Sequence, residues 1–199
     1  LLTVIDSLDG ALHVPDRWFG ILLLIEGTGS LVVGTAAIGF DALANARANR
    51  VRRLRSALVY TAAGVQTAFT TRPITFTVRT TGPDGDREES FAGWNVAVGN
   101  SGRHGGGLTA TPGADLADGL LDVVVTRGRR FDQKATSALL ERGGNHVRLP
   151  HVDGWRATLV EITAVDRDGR PLEVYADGDP IAVAPVQIGL LPGALRLLY

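Results

Sequence analysis

The chain has 199 residues, of which 45% are hydrophobic and 21% are charged, as is typical of a globular protein with a hydrophobic core. Its 20 basic and 21 acidic residues give a net charge of −1, so the charge balance gives no support for a nucleic-acid partner. Because there is no cysteine, disulfides and zinc thiolate sites are excluded, which is consistent with a reducing compartment such as the cytoplasm.

The first predicted elements lie in the apolar segment 21–40, "ILLLIEGTGSLVVGTAAIGF". Glu26 and the polar residues 27–30 divide it into two runs, each far shorter than the ~20 apolar residues that a membrane-spanning helix needs. The segment therefore predicts two buried strands joined by a turn.

A long helix is predicted from Asp41 to about Phe69, because Ala, Leu and Arg dominate and apolar residues recur at three- and four-residue spacings. Asp41 would cap its N-terminus, and Gly64 marks a point where it could divide. The period then changes to strict alternation in "PITFTVRTT", which predicts a half-buried strand, a polar turn and a return strand through "WNVAVG".

The second half of the chain predicts mostly strands. Residues 120–125 read as a strand buried on both faces, and a short helix is predicted from Asp132 to about Arg142. Strands at ~10-residue spacing with Gly and Asp turns follow. The predicted fold class is mainly β (α+β), an antiparallel β-sandwich or distorted barrel with one long and one short helix, forming a single domain over 1–199.

The glycine-rich stretch 99–107, "GNSGRHGGG", has three interpretations. It is a wide surface turn, a cradle of backbone N–H groups for phosphate, or a wall that a ligand or a second domain approaches too closely for a Cβ atom. A P-loop is excluded because no Lys follows, and a Rossmann fingerprint is excluded because the glycine spacing is wrong. The stretch alone leaves the three open.

Two further segments are candidates for chemistry. In "GADLADGLLD", Asp115 and Asp118 could contribute to an oxygen cage for Mg²⁺ or Ca²⁺, although Asp and Gly are common in turns anyway. In "YADGDP", Asp177-Gly178 suits a type I′ hairpin turn. Asp177 and Asp179 could also work together, one as a base and the other orienting a hydroxyl or binding a metal.

The order of these segments is more specific than any one of them. "IGFDA" (38–42), "VAVGNSGRHGGGLTATPGADLADGLLDVVV" (96–125) and "VYADGDP" (174–180) together resemble the C-terminal domain of the diacylglycerol kinase-like lipid kinases. That family includes bacterial diacylglycerol kinases and the sphingosine and ceramide kinases. The similarity runs from about Phe19 to the end of the chain.

The resemblance implies one half of a two-domain enzyme that transfers the γ-phosphoryl group of ATP to a lipid hydroxyl. Family members bind the nucleotide through an N-terminal α/β domain with a Gly-Gly-Asp-Gly-Thr motif, which is not found in this chain. The chain is therefore expected to be the substrate-side domain and to be inactive alone. The implied partners are a lipid, the nucleotide-binding domain and a membrane surface contacted peripherally from the cytoplasm; a homodimer is left open.

The resemblance also assigns roles to individual residues. Asp179 stands where the family usually has a Glu that accepts the proton, with Asp177 as its partner; Asp179 is shorter by one methylene. The remaining assignments are a Mg²⁺ site at Asp115, Asp118 and the carbonyl of Leu120, and a substrate cleft lined by Asn100, Gly105, Gly106 and Gly107.

Two other functions fit the sequence. One is a kinase of the same superfamily that acts on a soluble substrate. The other is a non-catalytic β-sandwich binding module, for which the acidic pairs would be ordinary turns and no metal would bind at Asp118.

Overall fold

The computed structural model describes residues 18–24, 31–50, 64, 66–67, 69–103, 108–131 and 143–196. These residues are mostly β-strands that pair antiparallel, which confirms the predicted fold class. The strands are β1 (Trp18–Leu24), β2 (Leu31–Val32), β3 (Thr35–Gly39), β4 (Ile74–Thr81), β5 (Arg87–Gly99), β6 (Leu121–Arg127), β7 (Val152–Ala157), β8 (Leu159–Val165), β9 (Glu173–Ala176), β10 (Asp179–Val183) and β11 (Val186–Arg196). Helix α1 covers Phe40–Arg50, and a short 3₁₀ helix covers Asn145–Arg148.

Strand β5 is the branch point of the sheet. The main path runs β10-β9-β3-β5-β4-β8-β11-β1-β2, and β6 joins β5 to β7 beside it. Along one edge of β5, its first half pairs with β4 and its second half with β3, while β6 pairs along the other edge from Gly93 to Gly99. Because three strands pair with β5, the sheet divides into two curved parts, and the core lies between them.

The far edge of β7 returns to β4 and nearly closes the sheet. The N–H of Thr158, just after β7, donates to the carbonyl of Thr81 at 2.7 Å. The indole N–H of Trp155 donates to the hydroxyl of Thr80 at 3.1 Å. These contacts give the distorted barrel its closed end.

The hydrophobic core follows the predicted patterns. Ile74, Phe76 and Val78 of β4 are buried, and the alternating Thr75, Thr77 and Arg79 are exposed or half-buried, as strict alternation predicts. Most residues of β6 are buried on both faces, including Val123 and Val125, which have no exposed surface.

Several predicted boundaries shift or lie outside the described residues. The apolar segment contributes to three strands rather than the two predicted: β1 pairs with β2, Leu22 opposite Val32, and β3 pairs with β5, while the predicted turn is not among the described residues. The first predicted helix is seen as α1 and, further on, as helical residues at 64, 66–67 and 69–70. The predicted helix 132–142 lies outside the described part of the chain. Within that part, no helix combines the length and the apolar character needed to cross a bilayer.

The predicted cap at Asp41 is wrong. The helix begins at Phe40, and Asp41 lies in its first turn, where it is buried. Its main-chain N–H donates to Oδ1 of Asn95, and the side-chain amide of Asn95 donates back to the Asp41 carboxylate. Asn95 of β5 therefore accepts the first-turn N–H that a local capping residue would otherwise accept, and the sequence around Asp41 does not indicate this.

A buried histidine fixes the loop that follows the glycine-rich stretch. His146, in the 3₁₀ helix, is 4% exposed, and its Nε2 lies 3.1 Å from the carbonyl oxygen of Ala110. Since a carbonyl only accepts, Nε2 carries a proton in this contact. Burial lowers the pKa of His146, and this outweighs the opposite effects of the Ala110 carbonyl and of Asp41.

This environment predicts a pH dependence of stability. The unfolded histidine takes up a proton near pH 6.5, whereas the folded one resists protonation, so the folded state loses stability as the pH falls below about 6.5. Denaturant unfolding of the intact protein, compared with His146→Gln at pH 7.5 and 5, should show the larger loss in the wild type. Equal losses in the two proteins would contradict the assignment.

Candidate functional site

Two predicted motifs meet at the residues that begin β3, although they are far apart in the sequence. The Asp177 carboxylate accepts hydrogen bonds from the main-chain N–H groups of Val33, Gly34 and Thr35 at 3.1, 3.3 and 3.2 Å. Asn100 takes the opposite groups of the same segment: its main-chain N–H donates to the carbonyl of Gly34 at 3.0 Å, and its side-chain amide donates to the carbonyl of Val33 at 3.3 Å. The segment 33–35 is thus clamped by Asp177 and Asn100.

The clamp fixes the conformation of the 177–179 turn. Asp177 has φ 47° and Gly178 has φ 92°, the two positive angles of the predicted type I′ turn. A left-handed conformation is unfavourable for a residue with a side chain, and the three hydrogen bonds of the carboxylate offset that cost. Asp177 is therefore a residue that positions the turn, with both carboxylate oxygens already in use.

The carboxylate of Asp179, unlike that of Asp177, is not held by hydrogen bonds from the described residues. Asp179 begins β10, opposite Ala176, and it is exposed. Among the residues that the structure describes, none forms a hydrogen bond or ion pair with its carboxylate. The turn thus holds the Asp177 carboxylate with three hydrogen bonds and leaves the Asp179 carboxylate exposed to solvent.

The glycine-rich stretch is partly explained by packing within the chain. A Cβ atom on Gly99 would lie 2.0 Å from Oγ1 of Thr111, a buried side chain that donates to the carbonyl of Ser101. Glycine is required at position 99 because the 109–112 loop packs directly on it. Asn100, predicted to line a cleft, is 1% exposed and instead supports segment 33–35. The predicted cleft residues Gly105, Gly106 and Gly107 lie outside the described residues.

Residues 115–120 form an acidic turn of two successive Asx turns. Oδ1 of Asp115 accepts the N–H of Ala117, and Oδ1 of Asp118 accepts the N–H of Leu120, both at 2.9 Å. Oδ2 of Asp118 lies 3.6 Å from the Arg156 guanidinium. Local turn chemistry thus occupies one oxygen of each carboxylate, and the second oxygen of Asp118 is near Arg156.

A third acid, Asp122, lies beside this turn; it follows Asp115 and Asp118 in the same sequence segment but was given no role there. Asp122 of β6 stands between Gly99 and Arg156 in the sheet, and its Oδ2 is buried without a hydrogen-bond partner. Burial, followed by the charge of Asp118, raises the pKa of Asp122 to about 6, while Arg156 acts against the rise. The sequence signals for this residue are its place after Asp115 and Asp118 and its position as a single acid within the apolar run "LLDVVV".

The acidic turn and Asp122 leave negative charge that Arg156 balances only in part. The carboxylates of exposed residues such as Asp115 and Asp118 suit a hard cation such as Mg²⁺, which binds through one or two carboxylates and retains water ligands. Within the described part of the chain, no three His, Cys, Asp or Glu side chains form a group able to hold a metal. The side chains alone would therefore form an incomplete shell, to be completed by a main-chain carbonyl and water.

Two surface clefts of about 350 and 200 Å³ lie elsewhere, on the outer face of β4 and β8. Residues of both signs line them, including Arg79 and Glu161, and neither contains a residue predicted for the site. We therefore assign the candidate site to the 177–179 turn and the acidic turn.

The sequence of residues 34–199 matches the family of YegS C-terminal NAD kinase beta sandwich-like domains. The chain belongs to this family. The match covers every motif that carried the resemblance from position 38 onward, so the resemblance to diacylglycerol kinase-like lipid kinases is confirmed.

Relatives and solved structures agree with this family. A diacylglycerol kinase of Mycobacterium tuberculosis is 32% identical over 184 residues, which are 92% of this chain and 52% of that protein. A crystal structure from Bacillus anthracis aligns with 94% of this chain and 58% of its own, with TM-score 0.65 and 20% identity. A second, of a diacylglycerol kinase of the same species, aligns with TM-score 0.53 and 18% identity. The two structures support the fold, and the chain spans about half the length of the curated relatives it matches.

The clamp by Asp177 predicts a large effect of a small change. Asp177→Asn removes the charge and places an amide NH₂ against main-chain donors, so we expect the intact protein to lose about 2–3 kcal/mol of stability. A matched control is Asp166→Asn, because the Asp166 carboxylate accepts only the nearby N–H groups of Asp168 and Arg170. That change should cost less than about 1 kcal/mol. Denaturant unfolding measures both, and equal losses would argue against the clamp.

Proposed function

We propose that this chain is the substrate-side half of an ATP-dependent lipid kinase that phosphorylates a hydroxyl of diacylglycerol or a similar lipid. Membership of the YegS C-terminal family and the M. tuberculosis relative named diacylglycerol kinase support this proposal. The observation that carries it is the pairing within the 177–179 turn of a carboxylate fully engaged by main-chain donors with one free in solvent.

In the proposed reaction, the lipid hydroxyl oxygen attacks the γ-phosphorus of ATP while its proton passes to the Asp179 carboxylate. A P–O bond forms to the lipid, and the bond between the γ-phosphorus and the bridging oxygen breaks to release ADP. Phosphoryl transfer depends mainly on positioning and charge stabilisation, so the contribution of this half is a correctly placed proton acceptor. Asp177 holds the turn that places Asp179.

The second half of the enzyme would supply the nucleotide. Since the chain spans about half of its relatives, we expect a nucleotide-binding domain to face the 177–179 turn in the intact protein. The lipid substrate places the enzyme at the membrane surface, and we propose that it meets that surface peripherally from the cytoplasm. ATP would be bound chiefly by the other domain.

For the metal, we propose that the carboxylates of Asp115 and Asp118 and the carbonyl of Leu120 hold a Mg²⁺ ion. The unbalanced charge of the acidic turn and the buried, unpartnered oxygen of Asp122 support a cation there. When bound, Mg²⁺ would neutralise this charge. The chain's own residues keep the turn in shape through the Asx bonds of Asp115 and Asp118.

Asp179 is the first residue to test. With the intact protein, ATP and a panel of lipids and soluble alcohols, Asp179→Asn should reduce turnover by about 10²–10⁴-fold, because the carboxylate no longer accepts the proton. Asp179→Glu, which keeps the acid, should retain turnover to within about tenfold of the wild type. Asp168→Asn, in an exposed turn between β8 and β9, is the matched control and should leave turnover unchanged. Full activity of Asp179→Asn would remove this residue from the mechanism.

Mg²⁺ binding has a readout that needs no catalysis. If Mg²⁺ binds the folded protein, a concentration about 100 times its Kd should stabilise it by about 2.7 kcal/mol, raising the melting temperature by several degrees. Asp118→Asn should abolish the rise, whereas Asp168→Asn should keep it. A Mg²⁺-dependent rise that persists in Asp118→Asn would place the ion elsewhere.

A further inference from the structure

An exposed pair of aromatic side chains lies away from the candidate site. Phe69, in the helical residues before β4, is 74% exposed, and Phe131, shortly after β6, is 46% exposed. Their rings are stacked, with centroids 5.2 Å apart and planes 28° from parallel. Two large apolar rings held together at the surface form a local apolar patch, which makes them a candidate for contact with a partner.

The patch is flanked by positive charge. Arg72 follows Phe69 by three residues and Arg129 precedes Phe131 by two, and both are exposed. Neither forms an ion pair with a residue that the structure describes, whereas nearby Arg127 is engaged by Glu89 and Asp153. Two exposed arginines thus flank the stacked aromatic pair along the sequence, a composition that complements a surface that is apolar within and anionic at its boundary.

The register of β5 and β6 separates this patch from the candidate site. Gly99 lies opposite Asp122 beside the acidic turn, and Gly93 lies opposite Arg127, next to the segment with Arg129 and Phe131. The six residue steps from 93 to 99 correspond to about 20 Å of strand. The patch therefore lies at the end of the β5–β6 pair away from the acidic turn, and a domain that faces the acidic turn need not cover it.

We infer that Phe69, Phe131, Arg72 and Arg129 form a docking surface for an anionic lipid bilayer. The rings would enter the boundary between headgroups and acyl chains, and the guanidinium groups would bind lipid phosphates. The inference rests on the proposed function in one respect, since a kinase of a membrane lipid must work at the bilayer surface. It goes further by naming the face of the protein and the charge of the membrane.

Vesicle sedimentation of the intact protein, without nucleotide, tests the surface. The two vesicle types are phosphatidylcholine alone and phosphatidylcholine with about 30% phosphatidylglycerol. We expect binding to the anionic vesicles and a loss of binding at high salt. Arg72→Gln and Arg129→Gln should each weaken binding by about fivefold, and Phe69→Ala with Phe131→Ala by at least about tenfold.

Matched controls lie on other surfaces. Arg167→Gln removes an exposed arginine from the turn between β8 and β9, and Val183→Ala trims a side chain that is 54% exposed. Both should leave vesicle binding unchanged. If a variant with both Arg72→Gln and Arg129→Gln bound vesicles like the wild type, the inference would be overturned. Equal binding of the wild type to neutral and anionic vesicles would also overturn it. So would a double phenylalanine variant with a lower melting temperature and unchanged binding, because another part of the protein would then cover the rings.

A parallel kinase assay separates this inference from the proposed function. With a short-chain diacylglycerol in detergent micelles, the docking variants should turn over like the wild type, because that substrate needs no bilayer. A wild type that phosphorylates no lipid but binds anionic vesicles through these residues would sink the proposed function and leave the docking surface standing. Full turnover in micelles with no vesicle binding would do the reverse.

Discussion

The candidate site depends on one carboxylate that is satisfied by main-chain donors far away in the sequence. Asp177 accepts three N–H groups from segment 33–35, the nearest of them 142 residues away, and this holds its own unfavourable left-handed conformation. Asn100 binds the carbonyls of the same segment from the other side. The position of Asp179 follows from these contacts, because its own carboxylate forms none with the described residues.

Strand β5 connects this clamp to the rest of the fold. Its last residues lead into Asn100 and the Gly99–Thr111 contact, and its pairing with β6 places Asp122 and the acidic turn beside them. Asn95, within β5, forms hydrogen bonds with Asp41 in the first turn of α1. A single strand that pairs with three others thus sets the relative positions of both acidic groups, so small shifts of β5 would move them together.

Local patterns predicted the parts of this structure that depend on near neighbours. The alternation of residues predicted strand β4, because side-chain period acts over a few residues. The Asp177-Gly178 pair likewise predicted the type of the 177–179 turn, because φ preference is local. The resemblance placed Asp177 and Asp179 in one site. The burial of Asn100, the partner of Asp41 and the unpartnered oxygen of Asp122 depend instead on strands brought together by the fold, and no local pattern carries that information.

The two acids of the 177–179 turn also differ in mechanical setting. Asp177 follows β9, which is paired on both sides, whereas Asp179 begins β10, which ends the described sheet and pairs with β9 alone. Terminal strands open locally at lower free energy than interior ones, so amide protons of β10 should exchange with solvent faster than those of β9. The proposed proton acceptor, Asp179, thus lies at the start of an edge strand, whereas Asp177 follows a strand that is paired on both sides. Asp179 can therefore shift its position more easily than Asp177 can.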